Sequence, residues 1–476
     1  MREQPTRTSD PVKDTIAAVI TAPGTGAMGA LRLSGPHAFD AAALVFRSKS
    51  GRTTEALSGY SLTFGGVYLE GSFLDQALLL KMKAPHSFTG EDVAELQCHG
   101  GMVVMRRLME AVTSLQGLLI RPAEPGEFSQ RAFLNGKMDL SQAEAVMELV
   151  SASNPRAAFI AAGQLAGGLS REIKRLREGI LMVLAEIEVE IDFPDEEWSG
   201  SAGAATRRDS VRRLLDEAAG LIASSDRGRI YREGIRVVFY GRPNVGKSSL
   251  LNGILREPRA IVTEEPGTTR DVLEEQILLK GIPVILTDTA GIRETGSQAE
   301  QAGVDRAKEM AARADLIVYV VDLPEGMQKE DALLLAELDK EKTIIVLNKQ
   351  DLAPPEAGRD EYGMLPDAFK EWACCSLCAL EPESLESLAD SIRLFIDQRY
   401  SGAPKEEFLL NSRQRDALLR ARQALAAAAE ALTKEIPEDV VAIDLKQAWS
   451  CLGELTGESL QTALVETIFS KFCLGK

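Results

Sequence analysis

The sequence is short of cysteine, of positive charge and of long apolar runs. Six cysteines in 476 residues are sparse and irregularly placed, which argues against a disulfide framework and for reduced thiols. No run of about 18 apolar residues occurs, so a membrane-spanning helix is not expected. The polar stretch 1–14 is not followed by an apolar segment and a cleavage site, so no signal peptide is apparent and a cytoplasmic protein is expected. Lys and Arg number 54 against 71 Asp and Glu, a net charge of −17. That excludes a surface coated in positive charge but leaves room for a local polyanion site. There is no internal repeat, and no low-complexity tract beyond the alanine-rich stretch 424–431. What is present is ordinary for a globular chain, 45% hydrophobic and 26% charged. At about 100–200 residues per domain, the length suggests two to four domains.

Three textures follow one another. From about 14 to 135, β-like stretches (16–21, 78–82, 93–97) alternate with Gly- and Pro-bearing turns, and one helix is predicted over 102–115. This reads as an α+β domain. From about 140 to 225 the period becomes helical. Leu169, Ile173, Leu176, Ile180, Leu184, Ile187 and Ile191 recur at steps of three and four, on one face of a long helix that Pro194 stops. A second helix is predicted from 206 to about 224. From about 233 to 399, apolar runs (235–240, 284–287, 316–321, 343–347) alternate with helical stretches, which implies a mostly parallel sheet covered on both faces. Helical texture then returns, and Leu460, Leu464, Ile468 and Phe472 step by four along a final helix. The expected fold is multidomain. An N-terminal α+β domain (1–136) precedes an all-α helical domain in two parts (137–232 and 400–476), with an α/β P-loop domain (233–399) inserted between them.

The run 235–240 leads into Gly241-Arg242-Pro243-Asn244-Val245-Gly246-Lys247-Ser248-Ser249. This is GxxxxGKS between a strand and a helix. Its glycines let backbone N–H groups curl around a phosphate, and the helix start adds its positive end. Lys247 suits the β- and γ-phosphates, and the Ser248 hydroxyl suits Mg²⁺. Three more motifs follow in order: Gly267-Thr268-Thr269-Arg270-Asp271, Asp288-Thr289-Ala290-Gly291 and Asn348-Lys349-Gln350-Asp351. The Asp351 carboxylate accepts from the N1 and N2 edge of guanine, Asn348 tethers the loop and Lys349 stacks on the ring, so GTP is expected over ATP. By resemblance to translation-factor-like GTPases, Thr269 is the switch threonine on Mg²⁺ and Gly291 reports the γ-phosphate.

Two features depart from the common GTPase pattern. The fifth motif, Ser-Ala-Lys-like, appears only as Ser376-Leu377-Cys378. After Asp-x-x-Gly, where many small GTPases place a water-orienting glutamine, stands Ile292, which cannot orient water. Another polar residue is needed, and Glu300 is a candidate against the bland alternative of a solvated helix face. The thiols of Cys374, Cys375 and Cys378 lack a nearby fourth ligand and read as buried small residues, not a metal site.

Further motifs extend over nearly the whole chain. They are Asp14-Thr15-Ile16-Ala17-Ala18, Pro23-Gly24, Leu31-Arg32-Leu33-Ser34-Gly35 and Ser87-Phe88-Thr89-Gly90-Glu91-Asp92. Glu95-Leu96-Gln97-Cys98-His99-Gly100-Gly101, Pro125-Gly126-Glu127-Phe128-Ser129, Arg131-Ala132-Phe133-Leu134-Asn135-Gly136-Lys137 and the ending Phe472-Cys473-Leu474-Gly475-Lys476 complete the set. With the GTPase motifs, the sequence closely resembles the MnmE/TrmE family of bacterial tRNA-modification GTPases. The resemblance implies an N-terminal domain that binds a reduced folate (5,10-methylenetetrahydrofolate or a 5-formyl analogue) and forms a homodimer. It implies a partner, the FAD protein MnmG, with which a (carboxymethyl)aminomethyl group is added at carbon 5 of the tRNA wobble uridine. It further implies K⁺ in place of an arginine finger. By motif position, Arg32, Glu95, Lys137 and Lys476 are expected at folate. Asn244, Thr263, Glu265 and Thr268 are expected at K⁺, Glu300 at the attacking water, and Cys473 as a possible reactive thiol. Glu124 stands where the family commonly has a basic residue, and Cys98 where a glycine is usual. His99 alone reads as a structural histidine.

A competing reading is a ribosome-assembly GTPase acting as an RNA-binding switch, but no GXXG-type or RNP-type RNA motif is visible. The basic clusters Arg171, Lys174, Arg175, Arg177 and Arg413, Arg415, Arg420, Arg422 read as solvated helix faces more than as a phosphate-binding surface.

Overall fold

Strands and helices follow the change in apolar period along the chain. The computed structural model describes residues 14–51, 53, 59–192, 204–255, 274–288, 308–353, 365–400, 407–459, 462–473 and 475. Sequence expectations at Thr263, Glu265, Thr268, Thr269, Thr289, Ala290, Gly291, Glu300 and Lys476 lie outside these residues. The chain forms two compact units. One comprises Met1–Met147, Gln164–Met182 and Lys446–Lys476, the other Glu148–Gly163 and Val183–Leu445.

In the first unit, seven strands form a mixed sheet: β1 (Thr15–Val19), β2 (Gly29–Ser34), β3 (Phe46–Ser48), β4 (Tyr60–Leu69), β5 (Ser72–Met82), β6 (Val93–Cys98) and β7 (Ile120–Pro122), in the order β3-β4-β5-β6-β2-β1-β7. Helices α1 (Ala38–Val45) and α2 (Met102–Thr113) cover one face, where Leu31, Leu33, Leu79, Leu96 and Leu108 form the core. The hairpin β4–β5 is longer than the predicted run 78–82. Glycines at 65 and 66 suggest a turn, yet a Cβ at Gly65 would lie 2.2 Å from the Arg47 carbonyl oxygen. The glycine therefore marks a close approach within a strand. Helix α3 (Glu127–Leu134) follows, and then the start of α4 (Leu140–Ser151).

A buried ion network ties this unit together. Arg131 is 2% exposed and donates to Asp14 Oδ1 (3.0 Å), Glu127 Oε1 (3.0 Å) and Glu91 Oε1 (3.2 Å). Arg121 donates to both Glu127 oxygens (2.8 and 2.6 Å) and to Asp14 Oδ2 (2.6 Å). Ser34 adds a hydrogen bond to Glu91 Oε2 at 2.6 Å. Five of the sequence motifs thus meet in one cluster of two guanidiniums and three carboxylates.

Helix α5 (Pro155–Leu165) precedes α6 (Gly168–Asp192). Leu169, Ile173, Leu176, Ile180, Leu184 and Ile187 are buried along α6 as its period predicts, whereas Ile191 is exposed. Helix α7 (Ala204–Glu233) runs well past the predicted end near 224. Ser-Ser-Asp-Arg-Gly reads as a break, but Gly228 lies where a Cβ would meet the Phe408 carbonyl oxygen at 2.0 Å. That glycine allows a chain crossing, and Ile230 beyond it is buried in a core.

The second unit holds the α/β region. Strands β8 (Ile235–Tyr240), β9 (Glu274–Leu279), β10 (Ile282–Asp288), β11 (Leu316–Asp322), β12 (Thr343–Asn348) and β13 (Ala373–Ser376) form a sheet in the order β13-β12-β11-β8-β10-β9. Every pairing is parallel except β9 with β10. Helices α8 (Lys247–Leu255), α9 (Lys329–Ala336) and α10 (Pro382–Tyr400) belong to it. Alternate residues of β8 enter opposite cores, Val237 and Phe239 one, Val238 and Tyr240 the other. Burial on both faces explains its unbroken apolar run. Helix α11 (Ser412–Thr433) packs along α7.

Helices α12 (Glu438–Thr456) and α13 (Thr462–Phe469) close the chain. The predicted last helix is shorter than its stripe: Leu460 lies outside the described residues and Phe472 past the helix end. Phe472 still stacks on Phe469, ring centroids 5.0 Å apart. Packing, not helical period, holds it.

Burial opposes the charge at Glu127 and Asp14, but the bonds from Arg121 and Arg131 hold both carboxyls below their usual range. Their contribution is therefore complete above the unfolded values of about 3.9 and 4.3 and is lost as pH falls through the folded ones. Glu127→Gln should lower Tm at pH 7 and flatten its fall between pH 5 and 2. Arg131→Met, which takes the guanidinium from Glu91 and leaves Asp14 and Glu127 to Arg121 alone, should cost about 3 kcal/mol. Thermal melts across pH check both, and parallel Tm–pH curves for the parent and Glu127→Gln would contradict the first.

Candidate functional site

Strand β8 ends at Tyr240 and the chain turns sharply into α8. Gly241 has φ +136° and Gly246 φ +99°. A Cβ at Gly246 would lie 2.1 Å from Asn348 Nδ2, and one at Gly241 2.4 Å from the Val320 carbonyl oxygen. No other residue fits either place without moving backbone or the buried Asn348. Asn244, exposed at the turn, also has positive φ (+64°). Helix α8 begins at Lys247, so its first turn presents the positive end of the dipole to the loop. The Lys247 ammonium is folded over the loop and donates to the carbonyls of Gly241 (2.8 Å) and Arg242 (2.6 Å). Ser248 is half-buried at the helix start, and Ser249 is exposed.

Three strand ends are stitched beside this loop. Asn348, 1% exposed at the end of β12, donates from Nδ2 to the Val245 carbonyl at 2.8 Å. Its Oδ1 accepts from the Ala379 N–H at 3.1 Å. The Leu377 N–H donates to Leu347 O (3.0 Å), and the Gln350 N–H to Leu377 O (3.2 Å). Lys349, in the left-handed region (φ +66°), pairs with the buried Asp322 that closes β11. Asp322 was not picked out from the sequence, although a lone acid ending an apolar strand is a readable signal. Asp351 is exposed, and its carboxylate is hydrogen-bonded to Cys378. Burial pushes the Cys378 thiol up, and this carboxylate adds to the effect. The structure thus brings Val245, Gly246, Lys247, Asn348, Lys349, Asp351, Leu377 and Cys378 to one end of the sheet. Ser376 ends the neighbouring β13, and Asp288 ends β10, its backbone level with Phe239. Of the three thiols, Cys378 is buried, while Cys374 and Cys375 are only half-buried, short of the burial expected of them. No metal-holding group occurs among the described residues.

A second arrangement lies on the sheet face of the first unit opposite α1 and α2. Register places Ala18, Arg32, Glu95, Leu80 and Leu62 in one row across five strands. Arg32 Nε donates to Glu95 Oε1 at 2.8 Å. The guanidinium lies over the rings of Phe88 and Phe128, 5.2 and 5.5 Å from their centroids. Lys137 donates to the Pro85 carbonyl at 2.9 Å and flanks Gly90, so it borders the same segment that carries Phe88. The C-terminal residues reach this sheet: the Cys473 carbonyl accepts from the Gly126 N–H at 3.3 Å, and Gly475 abuts Val19 and Ile20. Cys473 itself is exposed. The ring of His99 lies 2.8 Å from Asp75 Oδ1, in keeping with a structural histidine. Cys98 beside it is buried, and burial, with the Asp75 charge, pushes its thiol up to about 12. It is inert.

The helical basic clusters are met locally. Arg175 pairs with Glu172, Lys174 with Glu178, Arg177 with Glu458, Arg415 with Asp226 and Arg420 with Asp416. No helix among the described residues is long and apolar enough to cross a membrane.

A buried parallel strand feeding a glycine turn and a helix, with an Asn-Lys-x-Asp loop stitched to that turn, defines a P-loop nucleotide-binding domain of the GTPase class. Comparison with known proteins narrows this. Residues 140–473 match the family described as MnmE helical domain, and residues 15–137 that described as GTP-binding protein TrmE N-terminus. The tRNA modification GTPase MnmE of Clostridioides difficile is 41% identical over 468 residues, covering 98% of this chain and 100% of that protein. The protein of the same name from Symbiobacterium thermophilum is 43% identical over 474 residues, covering 98% and 100%. Among solved structures, Aquifex aeolicus Era bound to GDP.AlF4- is 25% identical with a TM-score of 0.28, over 40% of this chain and 66% of that one. The chain belongs to the MnmE family of tRNA modification GTPases.

Removing the Asn348 side chain leaves the Val245 carbonyl and the Ala379 N–H without their partner, at about 1–3 kcal/mol for each buried group. Asn348→Ala should therefore weaken GDP and GTP binding by at least about tenfold, read by titration calorimetry. Unchanged affinity would show that the two loops hold their places without it.

Proposed function

We propose that this chain hydrolyses GTP and couples the hydrolysis to modification of carbon 5 of the wobble uridine in tRNA. The observation that carries the nucleotide half is the Asn348 bridge, which joins the phosphate loop to the base loop at the carboxyl ends of parallel strands, where α/β folds bind ligands. The glycine cradle admits a phosphate chain at close backbone approach, and Lys247 exchanges its two carbonyl partners for β- and γ-phosphate oxygens. Asp351 reads guanine, with Lys349 over the ring and the 376–378 loop beside it. Ser248 and Thr269 are the proposed holders of Mg²⁺, which neutralises phosphate charge when bound. Thr289, Ala290 and Gly291 are assigned to the γ-phosphate.

Charge that spreads over the phosphates in the transition state calls for a further cation. Asn244, Thr263, Glu265 and Thr268 are proposed to hold K⁺ there. Glu300 takes the water-orienting place that Ile292 cannot fill. Equal GTP turnover in KCl and NaCl at one ionic strength would remove K⁺ from this account. Wild-type turnover in Glu300→Ala would remove Glu300.

The tRNA half rests on family membership and on the open sheet face. A reduced folate offers a flat amide-rich ring system and a carboxylate tail. The Arg32–Glu95 pair between two aromatic rings suits such a molecule, with Lys137 and Lys476 for its tail, and the group supplies a one-carbon unit when bound. Tyr60, Leu62, Phe64 and Phe73 are between 44% and 61% exposed on β4 and β5. Clustered exposed apolar groups mark an interface, here assigned to a second copy of the chain. MnmG is the proposed protein partner, and the net charge of −17 favours sharing the grip on tRNA with it.

Calorimetry with 5-formyltetrahydrofolate tests this reading against a GTPase that only switches RNA binding. Binding to the parent, reduced at least tenfold in Arg32→Met, is expected. No binding to the parent would remove the folate-dependent reaction.

A further inference from the structure

Arg242 is the second residue of the glycine turn and has no part in the phosphate chemistry assigned above. Its side chain nevertheless leaves the loop and ends on a carboxylate with 0% exposure, Asp331 in the first turn of α9. Arg242 Nε donates to Asp331 Oδ2 at 2.9 Å. The same oxygen accepts the Gln328 N–H at 2.9 Å, and Oδ1 accepts the Tyr319 hydroxyl at 3.0 Å. Tyr319 is itself fully buried and stands edge-on to Tyr240, the last residue of β8, with centroids 5.9 Å apart. Asp331 is therefore fixed by two hydrogen bonds, from Gln328 and Tyr319, before it meets the loop. Arg242 has a second attachment, since its carbonyl oxygen accepts the Lys247 ammonium at 2.6 Å.

We infer that Asp331 is a positioning residue for nucleotide binding, acting through Arg242 on the phosphate loop. The inference rests on the GTPase reading. Lysine must give up the carbonyls of Gly241 and Arg242 to reach a phosphate. Asn348 still holds the second half of the loop at Val245 at that moment, and the Arg242–Asp331 pair anchors the first half while the lysine leaves. The pair is suited to this task. It is charge-assisted and shielded from water on the Asp331 side, so it holds geometry better than a surface pair would. Removing one partner leaves the other buried and uncompensated. Glu325, at 3.2 Å from Arg242 Nη2, is 60% exposed and cannot replace Asp331 in that role.

Asp331→Asn keeps the size of the side chain but removes the charge that faces Arg242. Titration of the full-length chain with fluorescent GDP should show at least a tenfold loss of affinity. Leu335→Ala, a core truncation one turn along the same helix, supplies the stability control. It should lower Tm at least as much and keep GDP affinity within threefold. The double variant Arg242→Gln with Asp331→Asn restores a neutral hydrogen-bonded pair and should recover most of the lost affinity. The inference is overturned if Asp331→Asn binds GDP like the parent. It is equally overturned if Leu335→Ala loses as much affinity as Asp331→Asn, or if the double variant is no better than the single one. Failure of the parent itself to bind GDP would instead overturn the GTPase reading.

Discussion

The nucleotide site depends on one buried amide. Asn348 has its two ends in different loops, Val245 on the phosphate side and Ala379 on the base side. Both loops project from the carboxyl ends of parallel strands, where the sheet ladder runs out after the Leu377 N–H bond to the Leu347 carbonyl. The bridge sets their spacing, and that spacing must match the distance from phosphates to base in a nucleotide. It also dictates a sequence constraint elsewhere, because Gly246 must lack a side chain for the Asn348 amide to pass 2.1 Å from where a Cβ would be. One amide thus accounts for an asparagine and a glycine about a hundred positions apart.

The first unit is governed by a different constraint. Several motifs of the N-terminal region meet in a structural ion network. Asp14, Glu91, Arg121, Glu127 and Arg131 pair with one another. What remains available to a ligand is smaller: Arg32 and Glu95 on the sheet face, Phe88 and Phe128 about them, and Lys137 nearby. The same network holds the start of α3 beside β1 and β7. The C-terminal residues Cys473 and Gly475 then lie against that frame.

Legibility in the sequence followed the physics of each segment. The GTPase motifs at 241–248, 288–291 and 348–351 were readable because each starts at a strand end, and strands buried on both faces appear as unbroken apolar runs. The length of α7 was not, because Gly228 looks like a break when its purpose is to let the chain at Phe408 pass. The β4–β5 hairpin was partly hidden by glycines required for close packing at Arg47. The Arg242–Asp331 pair was invisible for a simpler reason. Its partners are 89 residues apart, and no local pattern announces an ion pair between distant segments. The acidity of the chain is likewise clearer in three dimensions. Lys174, Arg175, Arg177, Arg415 and Arg420 on the helices each pair with an acidic side chain.

The central claim is that the nucleotide site described here serves modification of the wobble uridine. Mass spectrometry of wobble nucleosides tests it most directly, in tRNA from cells that lack this protein and from the same cells supplied with the parent or Lys247→Ala. Loss of the carbon-5 modified uridines on deletion is predicted, with recovery by the parent and none by Lys247→Ala. Unchanged nucleosides on deletion, or full recovery by Lys247→Ala, would contradict it.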